Sequence, residues 1–212
     1  MNNSGNEYIS KIDNFFLKDL SSLKEPKVIE FGVRFGVSTK RIIKICEQNN
    51  GFLHAIDIED CSNISNSKNW KFYHCRDDNF DYLDKLLPKN VDLIYLDSFH
   101  NAKHIEKIFY HYYPLLKVGG TFVFDDISWL PYLKNKKRNN FHCEINNQET
   151  FEKLLEIKSS NEKNIDLFFS FVGSGSAKIT KRNNENLNKS QRLILRKSSI
   201  KNKLRKLLNL IN

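Results

Sequence analysis

Apolar residues recur along this chain with two different periods, and the switches between them mark its elements. Between residues 7 and 20 the positions Tyr8, Ile9, Ile12, Phe15, Phe16 and Leu20 fall at helical spacing, which predicts an opening helix closed off by Pro26. Residues 28–31 form a short strand that runs straight into glycines. Residues 38–47 read as a helix, with Ser38 as its N-terminal cap and Ile42, Ile43 and Ile45 as its apolar face. Residues 52–57 and 70–75 are the second and third expected strands. Helical spacing over 80–87 is stopped by Pro88. The run Val-Asp-Leu-Ile-Tyr-Leu at 91–96 has the character of a buried parallel strand. A helix over 102–116, a Gly119-Gly120 turn and a strand over 121–124 follow. Residues 128–147, with Lys134, Lys136, Lys137 and Arg138 among asparagines, break both periods and are expected to form a long loop, a lid. A helix at 148–157 and strands at 165–172 and 177–180 complete the pattern, the last two joined by a Gly-Ser-Gly-Ser turn at 173–176. Alternation of this kind predicts a doubly wound α/β fold. Its sheet is seven-stranded and mainly parallel, with helices on both faces and an antiparallel strand at the edge.

Composition changes this picture in one place. With 40% hydrophobic and 28% charged residues, the 212-residue chain can bury a core, and a single domain is expected. No run approaches the ~18 apolar residues of a spanning helix, and the first residues lack the basic-then-apolar order of a secretory signal. The four cysteines show no paired spacing, so free thiols and a cytoplasmic setting are expected. The net charge of +9 is unevenly placed. From residue 181 onward ten basic residues face one acid, Glu185, so that stretch alone carries +9 and the rest is neutral. The expected division is a body over 1–180 and a basic tail over 181–212. In that tail Leu193, Ile200, Leu204, Leu207 and Ile211 make a helical stripe between lysines and arginines. Such a helix suits an anionic membrane surface, which would make the protein peripheral to a membrane. It also suits a partner chain or a second copy, and it suits nucleic acid less, since few aromatic residues interleave with the charges.

The first glycine loop carries the main chemical signal. Glu30-Phe-Gly32-Val-Arg-Phe-Gly36-Val-Ser38 lies directly after a strand and before a helix. Gly32 and Gly36 let backbone approach a ligand, and a helix N-terminus offers free N–H groups. The spacing matches neither the dinucleotide-binding fingerprint nor a P-loop. The second strand ends in Asp57, where a carboxylate can accept hydrogen bonds from both hydroxyls of a ribose.

These residues, with Ala55-Ile-Asp57, Asp92-Leu-Ile-Tyr-Leu-Asp97 and Leu115-Leu-Lys-Val-Gly119-Gly120, resemble a class I S-adenosylmethionine-dependent methyltransferase over about residues 26–180. The nearest subgroup in pattern is that of small bacterial metal-dependent O-methyltransferases, similar to macrocin, rhamnosyl and cephalosporin-type enzymes. The resemblance implies a Rossmann-like fold, with Glu30, Gly32, Gly36 and Ser38 around the methionine end of the cofactor and Asp57 on its ribose. It puts Asp77 or Asp78 near the adenine, without distinguishing them.

Three carboxylates are expected at the same sheet edge. Asp97 ends the fourth strand, and Asp125 and Asp126 end the fifth. Like charges gathered there repel unless a cation lies among them, and oxygen ligands suit Mg²⁺ or a similar divalent ion. The resemblance places a metal on the same three residues. His100, three residues after Asp97, is the candidate base, with Asp97 as its catalytic partner. Some relatives carry a second acid two residues after the first, and here that position is Phe99. His104 and His142 are weaker candidates. The expected function is transfer of a methyl group to a hydroxyl of a sugar or other small polyhydroxylated metabolite. Two alternatives are a metal-independent methyltransferase acting on RNA and a nucleoside-binding module without catalysis. The tetrapeptide typical of attack by a base nitrogen is missing after the fourth strand.

Overall fold

The computed structural model describes residues 3–196 and 199–209. Its centre is a seven-stranded sheet built from β1 (Lys27–Phe31), β2 (Phe52–Asp57), β3 (Trp70–His74), β4 (Val91–Leu96), β5 (Leu116–Asp125), β6 (Ile165–Ser170) and β7 (Ser176–Lys181). The strand order is β3-β2-β1-β4-β5-β7-β6. The first five strands are parallel. Strand β7 runs antiparallel to both β5 and β6, so the reversed strand lies one place in from the edge.

Period-two alternation sorts the strands onto two cores. On one face Ile29, Phe31, Ile94, Leu96, Phe122 and Phe124 are buried under α5 (Ala102–Tyr112) and α6 (Phe141–Ser160). On the other, Val28, Leu53, Leu93, Tyr95 and Val123 meet the N-terminal helices and α3 (Val37–Asn49). The opening segment is α1 (Asn3–Ile12), a π-helical turn (Asp13–Leu17) and α2 (Lys18–Ser21). Its Ile12, Phe16, Leu17 and Leu20 are all buried, which fixes α1 across the sheet.

Four elements differ from expectation, each for a local reason. The helix α4 covers only Phe80–Leu83. Residues 84–87 form a turn, because Pro88 biases the residue before it away from helix. Helix α6 begins at Phe141, well before residue 148, because Asn140 caps it by accepting a hydrogen bond from Cys143 N at 3.0 Å. Its early apolar signal is weak since it buries Asn147, whose amide donates to Ser128 O at 2.9 Å. Gly36, not Ser38, is the N-cap residue of α3. The expected turn at Gly119-Gly120 lies inside β5, where the register with β4 shifts.

Beyond β7 the chain stays on the body as far as Gln191. Tyr110 and Asn161 both donate to Asn188 O, and Gln191 N donates to Ser160 Oγ. The expected boundary at 180 therefore falls within chain that is still attached. The last helix, α7, spans Ile200–Asn209, and Ile211 of the expected stripe lies outside the described residues. Among the described residues no helix is long and apolar enough to cross a membrane.

Candidate active site

Strands β1 and β4 are neighbours whose crossovers leave in opposite directions, which opens a crevice at their carboxyl ends. A cavity of about 430 Å³ occupies it, with Gly32, Arg34, Asp57, Asp77, Asp97 and Phe99 on its wall. Gly32 has φ +95°, and a Cβ there would stand 2.1 Å from the Asp97 carbonyl oxygen. The loop can thus pass between the two strand ends only with glycine at this position. Asp57 organises the same loop, since its Oδ2 accepts from Val33 N at 2.6 Å and Arg34 N at 2.9 Å, and its Oδ1 from Glu59 N.

The two neighbouring acids after β3 separate. Asp77 is on the cavity wall and accepts from Ser98 Oγ at 2.5 Å, with His104 Nε2 2.8 Å away. Asp78 instead pairs with Arg76 and Lys107. Of the two acids only Asp77 lies on the cavity wall.

Glu30, Gly36 and Ser38 are not on the wall. Glu30 is fully buried, with Oε1 accepting from Ser38 Oγ at 2.5 Å and Oε2 without a hydrogen-bond partner. Ser38 thus serves the carboxyl and not the helix end. Burial lifts the Glu30 carboxyl to about 8, with the Ser38 hydroxyl offsetting part of the rise. In the unfolded chain the group loses its proton near the ordinary value of 4.5, so between about 4.5 and about 8 the folded state binds more protons. Stability of the ligand-free protein should fall across that window as pH rises, by at most about 1.4 kcal/mol per pH unit. Urea unfolding of Glu30→Gln should lose this slope, and an unchanged slope would show that another group causes it.

At the ends of β4 and β5 the acids also divide. Asp125 is buried against Lys11, an ion pair whose partners are 2% and 3% exposed. It also accepts from Ser176 Oγ at 2.9 Å and Tyr95 OH at 3.1 Å. Asp126 takes a left-handed backbone conformation, φ +53°, uncommon outside glycine, and its Oδ2 lies 3.7 Å from His100 Nε2. Asp97 Oδ1 lies 3.4 Å from the same nitrogen. Tyr8 OH donates to Asp97 Oδ2 at 3.2 Å and lies 3.1 Å from Tyr95 OH.

Burial opposes the charged form of His100. The interaction of its N–H with the Asp97 carboxylate and the charges of Asp126 and Asp97 outweigh that, and its pKa rises to about 9. Burial and the charge of Asp125 push Asp97 up, while His100 pulls it back.

Asp97, Asp125 and Asp126 therefore do not act as one set, because Lys11 engages Asp125. Among the described residues no group of three or more histidine, cysteine or acidic side chains is arranged to hold a metal. Asp97 and Asp126 remain. Two carboxylates completed by waters and substrate oxygens are a set that Mg²⁺ accepts.

The residues that sequence reasoning did not find are Tyr8, Lys11 and Tyr95. Their only signal is the three-residue spacing of Tyr8 and Lys11, which puts both on one face of the opening helix. The expected lid also reaches the site. Arg138 pairs with Glu7 at 2.9 Å, and burial together with the Asp126 charge lifts Tyr132 to about 12. His142 lies at the start of α6, outside this cluster.

A family model described as a methyltransferase domain matches residues 29–127, from β1 to just beyond the end of β5. No curated protein matches the sequence. Among solved structures the fold is similar to the SAH-bound methyltransferase of Podospora anserina, at 13% identity and a TM-score of 0.64, over 86% of this chain and 89% of that one. It is also similar to the O-methyltransferase TomG from Streptomyces achromogenes, involved in tomaymycin synthesis and solved with SAM, at 13% identity and 0.59 over 86% and 91%. A third similarity is to the MycE methyltransferase of the mycinamycin biosynthetic pathway, solved with Mg, SAH and mycinamycin VI, at 19% identity and 0.57. That match covers 84% of this chain, which spans half the length of MycE (50%).

The chain carries a match to a methyltransferase domain over residues 29–127, set in a fold similar to that of methyltransferases solved with SAM or SAH. The likeness to the individual neighbours is a likeness of fold.

Proposed function

We propose that the protein methylates a hydroxyl oxygen of a small polyhydroxylated acceptor, such as a sugar. The observation that carries this is the position of Asp97, which both lines the crevice and pairs with His100 beside Asp126. A proton-accepting cluster thus abuts the cavity in which the methyl donor would lie.

The residues fit that donor. The cavity has the size of a cofactor site. Asp57, with two backbone N–H groups on Oδ2 and one on Oδ1, keeps a lone pair on Oδ1 for a ribose hydroxyl. When bound, S-adenosylmethionine supplies a methyl group on a sulfonium, open to in-line attack by an oxygen lone pair. The chain's own work is to orient the acceptor and to take its proton on His100 or Asp97 as the new oxygen–carbon bond forms. Asp97 and Asp126 would hold a divalent cation, which would make the acceptor hydroxyl more acidic. The lid, with Tyr132 feeling the Asp126 charge and Arg138 beside Tyr132, would select the acceptor. The O-methyltransferase neighbours and the MycE complex support this choice of chemistry.

Calorimetry should show S-adenosylhomocysteine binding, weakened by about 1.5–3 kcal/mol in Asp57→Ala. With methyl glycosides as acceptors, His100→Ala should lower kcat about 100- to 10,000-fold and leave that affinity unchanged. His100 must lose its proton to act as a base, so turnover should climb as pH rises toward about 9. Added Mg²⁺ should move this limb to lower pH, since a cation on Asp97 and Asp126 replaces the positive charge His100 provides. No binding of S-adenosylhomocysteine, or full turnover by His100→Ala, would overturn the proposal.

A further inference from the structure

Helix α7 combines an apolar arc with a particular placement of charge. At about 100° per residue, Ile200, Leu204, Leu207 and Leu208 share an arc of about 100°. Lys201 and Lys203 fall at its two edges, with Arg205 and Lys206 further round. All four apolar side chains are exposed, at 77%, 54%, 58% and 63%. Just upstream Ile194 and Leu195 are exposed too, at 95% and 54%. From Lys189 to the end of the chain there are eight basic residues and no acid.

Water is a poor environment for this arc, so a covering surface is called for. A protein groove would take the leucines but gives no reason for a lysine at each edge and no acid anywhere. Nucleic acid would take the charges but not the leucines. An anionic bilayer accepts both. The apolar arc sinks to the boundary between headgroups and acyl chains. The lysine stems then lie along it while their ammonium groups stay among the phosphates. The body before residue 181 has no net charge, so the attraction is concentrated in this segment.

We propose that α7 is an interfacial helix that docks the protein on an anionic membrane surface. This is independent of the chemistry at the crevice.

The test uses the full chain and two kinds of vesicle, phosphatidylcholine alone and phosphatidylcholine mixed with phosphatidylglycerol. Co-sedimentation should show binding at least about 10-fold tighter to the mixed vesicles, weakening as salt is added. Helicity by circular dichroism should not fall on binding. Leu204→Gln/Leu207→Gln should lose vesicle binding while retaining wild-type affinity for S-adenosylhomocysteine, which shows an intact body. Each of Lys201→Gln and Lys203→Gln should weaken binding about 5-fold. Equal binding to both vesicle types would overturn the proposal, as would undiminished binding of the double leucine variant. A structured RNA bound alike by wild type and that variant, with mixed vesicles left unbound, would overturn it in favour of nucleic acid.

Discussion

Lys11→Met should destabilise the protein by about 3–5 kcal/mol, the cost of leaving one member of a buried ion pair without its partner. Lys11 is 3% exposed and meets Asp125, itself 2% exposed, at the centre of the α1 face. Its ammonium also donates to Ser174 Oγ at 3.0 Å, tying α1 to the β6–β7 hairpin. With the lysine gone, Asp125 keeps only the Ser176 and Tyr95 hydroxyls, too little to solvate a buried charge. Asp125→Asn alone should cost a comparable amount by stranding the lysine. The double variant Lys11→Met/Asp125→Asn should recover most of the loss, since neither charge is then left unpaired. Urea unfolding would read this as a lowered midpoint at constant slope. A loss below about 1 kcal/mol for Lys11→Met would mean that the pair is solvated.

Gly32→Ala should be as damaging, and by a different route. The backbone at +95° is a conformation that side chains rarely adopt, which costs on the order of 1–3 kcal/mol. The added Cβ would also meet the carbonyl oxygen of Asp97 at 2.1 Å and its carbon at 2.5 Å, both backbone atoms that no rotamer change can clear. The strand ends must then part, at a further cost of about 1–3 kcal/mol. Because Gly32 and Asp97 are both on the cavity wall, binding of S-adenosylhomocysteine should be lost by calorimetry even at temperatures where the variant stays folded. Gly36→Ala, also at a positive φ of +70°, should be milder, since the nearest atoms to its Cβ belong to the Ile64 side chain, which can shift, and not to backbone. Equal tolerance of the two substitutions would contradict the close approach of β1 and β4.

The parts of the site that the sequence revealed are those set by the sheet. A strand that ends in Glu30-Phe-Gly32 and another that ends in Asp57 must deliver those residues to one edge, and alternation plus spacing was enough to say so. What stayed hidden depends on which helix covers which edge. Nothing in the periodicity of α1 says that Lys11 meets Asp125, and three acids with no visible cation suggested a metal. Adjacent acids were equally opaque. Asp77 and Asp78 differ in surroundings because the chain turns between them, and Asp125 and Asp126 because the second takes a left-handed conformation. Ser38 fits the rule for a helix cap, but the buried carboxyl of Glu30 on the preceding strand offered its hydroxyl a better partner.

The sheet order has a consequence for how the chain matures. Strand β5 gains its outer neighbour only from β7, so Asp125 waits for Ser176, some fifty residues downstream, and Lys11 waits for Ser174. The acid at the end of β5 is thus clasped by both ends of the folded body at once. During synthesis the first five strands can pair as they emerge, but α1 has no complete seat until the final hairpin closes. A chain released early would carry the glycine loop and Asp57, yet leave Asp125 without Ser176 and Lys11 without Ser174, a less stable state that quality-control proteases act on more readily. The late strand therefore makes translation to about residue 181 a condition for Lys11 and Asp125 to gain their full set of partners.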